Sequence, residues 1–234
     1  METRNLGKII LLRLRRLGEL DISEYTTTKI KEKYKTPLAM LIATILSQNT
    51  NDKNAIKAFN NLVKTLGGKI TIESILNTPL ERIREAIRVA GMYNKRAKTI
   101  KEVAFYIKSR LGGSLEDILS LPLEEARRKL MSIPGVGSKT ADILLLMYYG
   151  KPTFPVDTHI KRVSRRLGLV DSRADYEKIR RKLMEIFNPE DYLEAHLRLI
   201  MLGRKYCKAG KPNCSLCPLN DMCSVGRGIV NCRV

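Results

Sequence analysis

The residues best suited to chemistry share one stretch, Leu130 to Leu169, which reads LMSIPGVGSKTADILLLMYYGKPTFPVDTHIKRVSRRLGL. Pro134 cannot continue a helix, and Gly135 and Gly137 tolerate backbone angles that strain other residues. The pattern predicts a helix end, a tight Pro134-Gly135-Val136-Gly137 hairpin and a second helix beginning near Ser138. Such a turn exposes backbone N–H groups beside the positive end of a helix, a setting that suits a phosphate. Lys139 falls in the first turn of that second helix, and Asp157 at the start of a third. A phosphate cradle, an amine and a carboxylate within two dozen residues admit two readings. One is a reaction centre; the other is an ordinary helix corner with a capping aspartate.

A second constellation lies near the C-terminus. Cys207, Cys214, Cys217, Cys223 and Cys232 all fall within the last 28 residues, and the first 206 contain none. A secreted disulfide protein staples distant segments, so this clustering points to a reducing compartment and a metal site. The spacing of the first four is C-x6-C-x2-C-x5-C. Four thiolates in one short loop can ligate tetrahedral zinc or a [4Fe–4S] cluster. Zinc sites more often pair two C-x2-C knuckles, and the asymmetric wrap here fits a cluster better. Lys205, Lys208 and Lys211 surround the loop, either to neutralise its charge or to meet phosphates. Cys232 lies outside the pattern and reads as a free thiol.

Charge narrows the partner. Lys and Arg number 43 against 24 Asp and Glu, a formal net charge of +19. That excess repels itself in a folded chain and calls for a polyanion, nucleic acid before an acidic membrane surface. No apolar run approaches the ~20 residues that span a bilayer. The N-terminal METRNLGKIILLRLRRLGEL reads as a basic amphipathic helix and not as a signal peptide, which predicts a cytoplasmic, DNA-associated protein.

The elements that must position these residues read as helices throughout. Leu38–Gln48 is an uncharged, buried helix, and the polar run Ser47–Asp52 ends it and caps the next, Asp52–Leu66. Helices follow over Ile72–Leu76 and Leu80–Ala90. The turn Gly91-Met92-Tyr93-Asn94 precedes a long amphipathic helix, Lys95–Leu111. Leu115–Leu119 and Leu123–Ile133 lead into the hairpin. Beyond it come Thr140–Tyr149, Thr158–Leu167, Tyr176–Phe187 and Pro189–Leu202. The fold class is all-α.

Taken together, IPGVGSKTADILLL, PVDTHIKRVSRRLGL and the cysteine spacing resemble the endonuclease III family of the helix-hairpin-helix DNA glycosylases. The similarity runs from about Pro37 to Cys223 and includes LIATILSQNTND and GMYNKRA. It implies a bifunctional base excision repair enzyme that removes oxidised pyrimidines and then nicks the abasic strand. It implies two helical domains flanking a DNA-binding groove. A six-helix barrel-like bundle carrying the hairpin would span 29–151, and a [4Fe–4S] domain would combine 1–28 with 152–234. The partner would be double-stranded DNA with damaged bases or abasic sites, bound by a monomer with no membrane association.

The resemblance also distributes roles. Lys139 becomes the nucleophile that forms a Schiff base with the opened sugar. Asp157 becomes the catalytic carboxylate, compatible with its capping a helix. Cys207, Cys214, Cys217 and Cys223 become the cluster ligands. Gly135, Val136 and Gly137 contact backbone phosphate, with Lys208 and Lys211 as further DNA contacts. Met92 becomes the apolar wedge that opens the duplex, and Gln48 or Asn49 fills the vacated base position. Asp142 reads as structural, and His159 as a structural or phosphate contact. Two alternatives remain at this point: a mismatch-specific adenine or thymine glycosylase, and a non-catalytic iron–sulfur module that only grips the duplex.

Overall fold

The computed structural model describes residues 2–21, 30 and 33–228. Cys232, and the boundary expected after residue 28, lie outside them. Twelve α-helices are delimited among the described residues, and no strand is present there. Contacts divide the chain into two compact units, Ile22–Lys151 and a second unit joining Met1–Asp21 to Pro152–Val234.

The unit Ile22–Lys151 is built on α2 (Pro37–Ser47). Thr36 caps it by accepting the Ala39 N–H at 3.2 Å, and Pro37 occupies the first turn, where its missing N–H costs nothing. Every residue from Ala39 to Leu46 is buried, as befits a helix apolar all round. Asn51 caps α3 (Asp52–Thr65) through the Asn54 N–H, and Thr71 and Ser74 form a reciprocal capping box on α4 (Ile72–Asn77). Next come α5 (Leu80–Ile87), which tightens into a 3₁₀ turn over Arg88–Ala90, and α6 (Tyr93–Arg110). After the short α7 (Glu116–Ser120), α8 (Leu123–Met131) enters the hairpin and α9 (Ser138–Ile143) leaves it. The core draws on nearly all of these helices, with Phe59, Leu62, Ile75, Ile100, Leu130 and Leu144 fully buried.

Continuation of α9 departs from the regular helix expected up to Tyr149. Leu144–Tyr148 is a π-helix, and the Tyr149 N–H reaches back five residues to the Leu144 carbonyl. The run Leu144-Leu145-Leu146-Met147 is buried on every side, so tertiary packing decides its winding and no amphipathic period was available to show it.

The second unit contains α1 (Glu2–Arg15), α10 (Thr158–Leu167), α11 (Tyr176–Ile186) and α12 (Tyr192–Lys205). Two glycines permit close helix approach. A Cβ on Gly7 would sit 2.0 Å from the Ile186 carbonyl oxygen, and one on Gly203 would sit 2.7 Å from the His159 Cβ. Phe154 stacks on Phe187 at 5.7 Å and meets Tyr192 edge-on at 5.6 Å. Glu194 of α12 accepts from Arg15 at 2.7 Å and from Arg198 at 2.7 Å. Arg198 in turn donates to the Leu14 and Gly18 carbonyls, closing the end of α1.

Candidate active site and metal centre

In the unit Ile22–Lys151 the hairpin is a short turn between α8 and α9. Val136 is buried and its N–H donates to the Ile133 carbonyl at 3.0 Å, so Val136 serves the turn itself. The flanking glycines, both exposed, form the outward backbone. Gly135 has φ +77, and a Cβ there would strike the Thr99 methyl of α6 at 2.5 Å. Only glycine meets both conditions. Lys139 follows in the first turn of α9 with its side chain exposed, one residue before the buried Thr140.

Asp142, one turn past Lys139, is fully buried and accepts from Arg127 Nε at 2.9 Å. The pair ties the helix before the hairpin to the helix after it. Both charges are out of water, where an ion pair is costly to break. That geometry makes Asp142 structural.

Two further loops stand in this unit. Gln48 ends α2 and is exposed, with its amide Nε2 3.5 Å from the Thr140 hydroxyl. Asn49, also exposed, has φ +53, and Met92, 54% exposed at the start of α6, has φ +47. The left-handed region is uncommon for residues other than glycine, and costs energy that surrounding structure must supply. Arg96 supplies contacts to both loops. Its guanidinium is buried and donates to the carbonyls of Leu46 at 2.8 Å, of Ala90 at 2.9 Å and of Gln48. Sequence reasoning passed over Arg96. A usable signal existed: it lies on the stripe Arg96, Ile100, Val103 and Ile107, all buried, where a charge must find partners.

In the second unit, Asp157 is the N-cap of α10. It is half-buried, and its Oδ1 accepts the Ile160 N–H at 2.7 Å, which holds the carboxylate in one orientation. His159, two residues on, has its pKa pushed below the usual 6.5 by burial, with the Arg162 and Arg204 cations adding to the effect and Asp157 opposing it. It packs against Gly203 with its Nδ1 3.1 Å from Arg162. His196 is buried and bonds the Pro155 carbonyl at 3.0 Å. Both histidines therefore have structural settings.

The same helix grips the cysteine loop. Arg162 donates to the Cys207 carbonyl at 2.7 Å, and Arg166 to the carbonyls of Lys208 at 2.7 Å and Ala209 at 2.9 Å. Arg166 also points an N–H at the Cys207 sulfur, 3.5 Å away, while its own carbonyl accepts from Val225 N at 3.2 Å and Cys223 Sγ at 3.2 Å. Both ends of the loop are thus fixed to α10. Cys207, Cys214, Cys217 and Cys223 line one pocket with Arg166, Asn213 and Val225. Burial, with the other three sulfurs adding, raises the Cys217 thiol to about 11, so thiolates gathered here need a positive core between them. Four soft donors around one cavity fit an iron–sulfur cluster. Lys208 and Lys211 lie exposed on the outside of the loop.

Comparison with known proteins agrees with this arrangement. Residues 42–189 match the model for the HhH-GPD superfamily base excision DNA repair proteins, and residues 207–223, from the first loop cysteine to the fourth, match the iron–sulfur binding domain of endonuclease III. The chain belongs to the endonuclease III family. Endonuclease III of Sulfolobus acidocaldarius is 39% identical over 92% of this chain and 93% of its own. A trapped endonuclease III–DNA covalent intermediate superposes with a TM-score of 0.75 at 28% identity, covering 95% of this chain and 98% of that one. A thermostable thymine-DNA glycosylase gives a TM-score of 0.80 at 22% identity over 97% and 100%, a likeness of fold alone. The family's cofactor is a [4Fe–4S] cluster. No helix among the described residues is long and apolar enough to cross a membrane.

Proposed function

We propose that this enzyme of base excision repair, a DNA glycosylase and abasic-site lyase, acts on oxidised pyrimidines in duplex DNA. The observation that carries the reading is Lys139, an exposed amine in the first turn of the helix that leaves the glycine hairpin. Endonuclease III relatives at this level of identity support the activity.

The chemistry follows from the side chains. The damaged nucleotide leaves the stack, because no nucleophile reaches C1′ inside the duplex. The Lys139 amine gives its lone pair to C1′ as the N-glycosidic bond breaks, and the base departs with the bonding electrons and collects a proton. Asp157 stabilises the positive character that develops on the sugar and takes up the proton released by the lysine nitrogen. Opening of the sugar ring leaves a Schiff base between Lys139 and C1′. The iminium acidifies the C2′ hydrogen; its loss expels the 3′ phosphate, nicking the strand, and water then frees the lysine.

Gly135 and Gly137 hold backbone phosphate through their N–H groups, contacts that position DNA without reading its sequence. Lys208 and Lys211 add phosphate contacts from the cluster loop. Met92 enters the stack as the wedge, and Asn49 or Gln48 occupies the vacated position. Cys207, Cys214, Cys217 and Cys223 hold the cluster, which fixes the loop that carries those lysines. We assign the hairpin bundle to 29–151 and the cluster domain to 1–28 with 152–234.

The test is a panel of duplexes, each with one oxidised pyrimidine, one mismatched adenine or one mismatched thymine. We expect excision and β-elimination products with the oxidised pyrimidine and little with the mismatches. Release of adenine or thymine without strand nicking would overturn the assignment.

A further inference from the structure

We infer that Arg96 is a positioning residue that locks the Gln48–Asn49 loop and the Met92 turn together, so that they enter DNA as one rigid unit. The inference rests on the reading of these loops as the base-extruding elements. It adds the device that sets their relative position.

Three features carry it. First, the acceptors of Arg96 come from two segments far apart in sequence: Leu46 and Gln48 at the end of α2, and Ala90 just before the turn that carries Met92. A planar guanidinium with donors in a fixed fork holds such acceptors at set separations, which a flexible ammonium cannot do. Second, this charge is 5% exposed, and burial lowers its pKa with no carboxylate among the causes. Its compensation is the carbonyl dipoles, including those at the negative end of α2. An arginine kept buried with no acidic partner among the described residues is expensive unless the geometry it imposes is useful.

Third, of the three non-glycine residues with positive φ among those described, two flank the clamp: Asn49 on one side and Met92 on the other. A strained backbone persists only where neighbouring contacts over-determine it. Arg96 bonds the carbonyl immediately before Asn49 and sits one turn into the helix that Met92 opens. The first turns of that helix extend the same support, because Thr99 packs against Gly135 of the hairpin. Gln48 also meets Thr140, the neighbour of Lys139. The loop that carries the filler and the turn that carries the wedge are therefore held from one strut.

The experiment uses the full-length, cluster-loaded enzyme and two variants, Arg96→Lys and Arg96→Met. Two activities are compared: single-turnover excision of an oxidised pyrimidine from duplex DNA, which needs extrusion, and cleavage of an abasic site in a single strand, which does not. We expect duplex excision to fall roughly tenfold to a hundredfold, less for Lys than for Met, since charged hydrogen bonds to the loops are lost. Single-strand cleavage should stay within about twofold of wild type. Fluorescence from 2-aminopurine beside the lesion should lose its extrusion phase in step with duplex excision. Equal losses on both substrates, or no loss on either, would overturn the clamp. Met92→Ala and Asn49→Ala separate the two failures. If they leave duplex excision unchanged, the loop reading fails; if they impair it and the Arg96 variants do not, the clamp alone fails.

Discussion

At the residue scale, the observed cap at Asp157 and the catalytic role proposed for it can be separated by substitution. Its Oδ1 caps α10, and the proposed chemistry needs its negative charge. Asparagine caps nearly as well as aspartate but carries no charge. Asp157→Asn should therefore lower single-turnover excision by roughly 10²- to 10⁴-fold with melting temperature unchanged. Asp157→Ala should add a stability loss of about 1 kcal/mol, read by denaturant titration. If the Asn variant excises at the wild-type rate, Asp157 is a cap and nothing more.

At the element scale, the hairpin depends on the buried pair beneath it. Arg127 and Asp142 join α8 to α9 on the side away from solvent, with Asp142 fully buried. Asp142→Asn removes the buried charge that faces Arg127 Nε and should destabilise the chain by roughly 3–5 kcal/mol. Paired replacement, Arg127→Met with Asp142→Leu, should recover most of that loss, since an apolar pair needs no solvation. Chemical denaturation of the three proteins measures both. A single Asn variant as stable as wild type would show that the hairpin is held by other contacts.

At the scale of the whole molecule, α1 is pinned to the far end of the chain through Glu194. Its carboxyl, bonded first by Arg15 and then by Arg198, is held at about 2, well below the usual 4.5. A depressed carboxylate contributes stability that is present above its unfolded value and lost as pH falls through the folded one. Unfolding titrations should show this contribution disappearing between pH 4.5 and about 2, and Glu194→Gln should flatten that part of the profile. An unchanged profile would mean that the three-residue cluster contributes nothing net.

The sequence told most where chemistry is local. Proline, glycine and cap residues write their turns directly, and the helices beginning at Pro37, Asp52, Ile72 and Thr158 start where those signals lie. Cysteine spacing within one loop likewise needs no tertiary knowledge. Long-range partners left no such trace. Arg96 meets Leu46 across 50 positions, Arg166 meets Ala209 across 43, and Arg127 meets Asp142 through the fold of the hairpin. The winding of Leu144–Tyr148 was equally silent, because its residues Leu144–Met147 are all buried and leave no polar face to set the period.

The central claim is that Lys139 becomes covalently attached to DNA, and borohydride trapping tests it most directly. Wild-type enzyme, incubated with a duplex bearing one oxidised pyrimidine and reduced with borohydride, should yield a stable adduct whose peptide map places the sugar on Lys139. Lys139→Gln should yield none while still binding the duplex. An adduct that persists in that variant, one that maps to another lysine, or its absence with wild type would contradict the account.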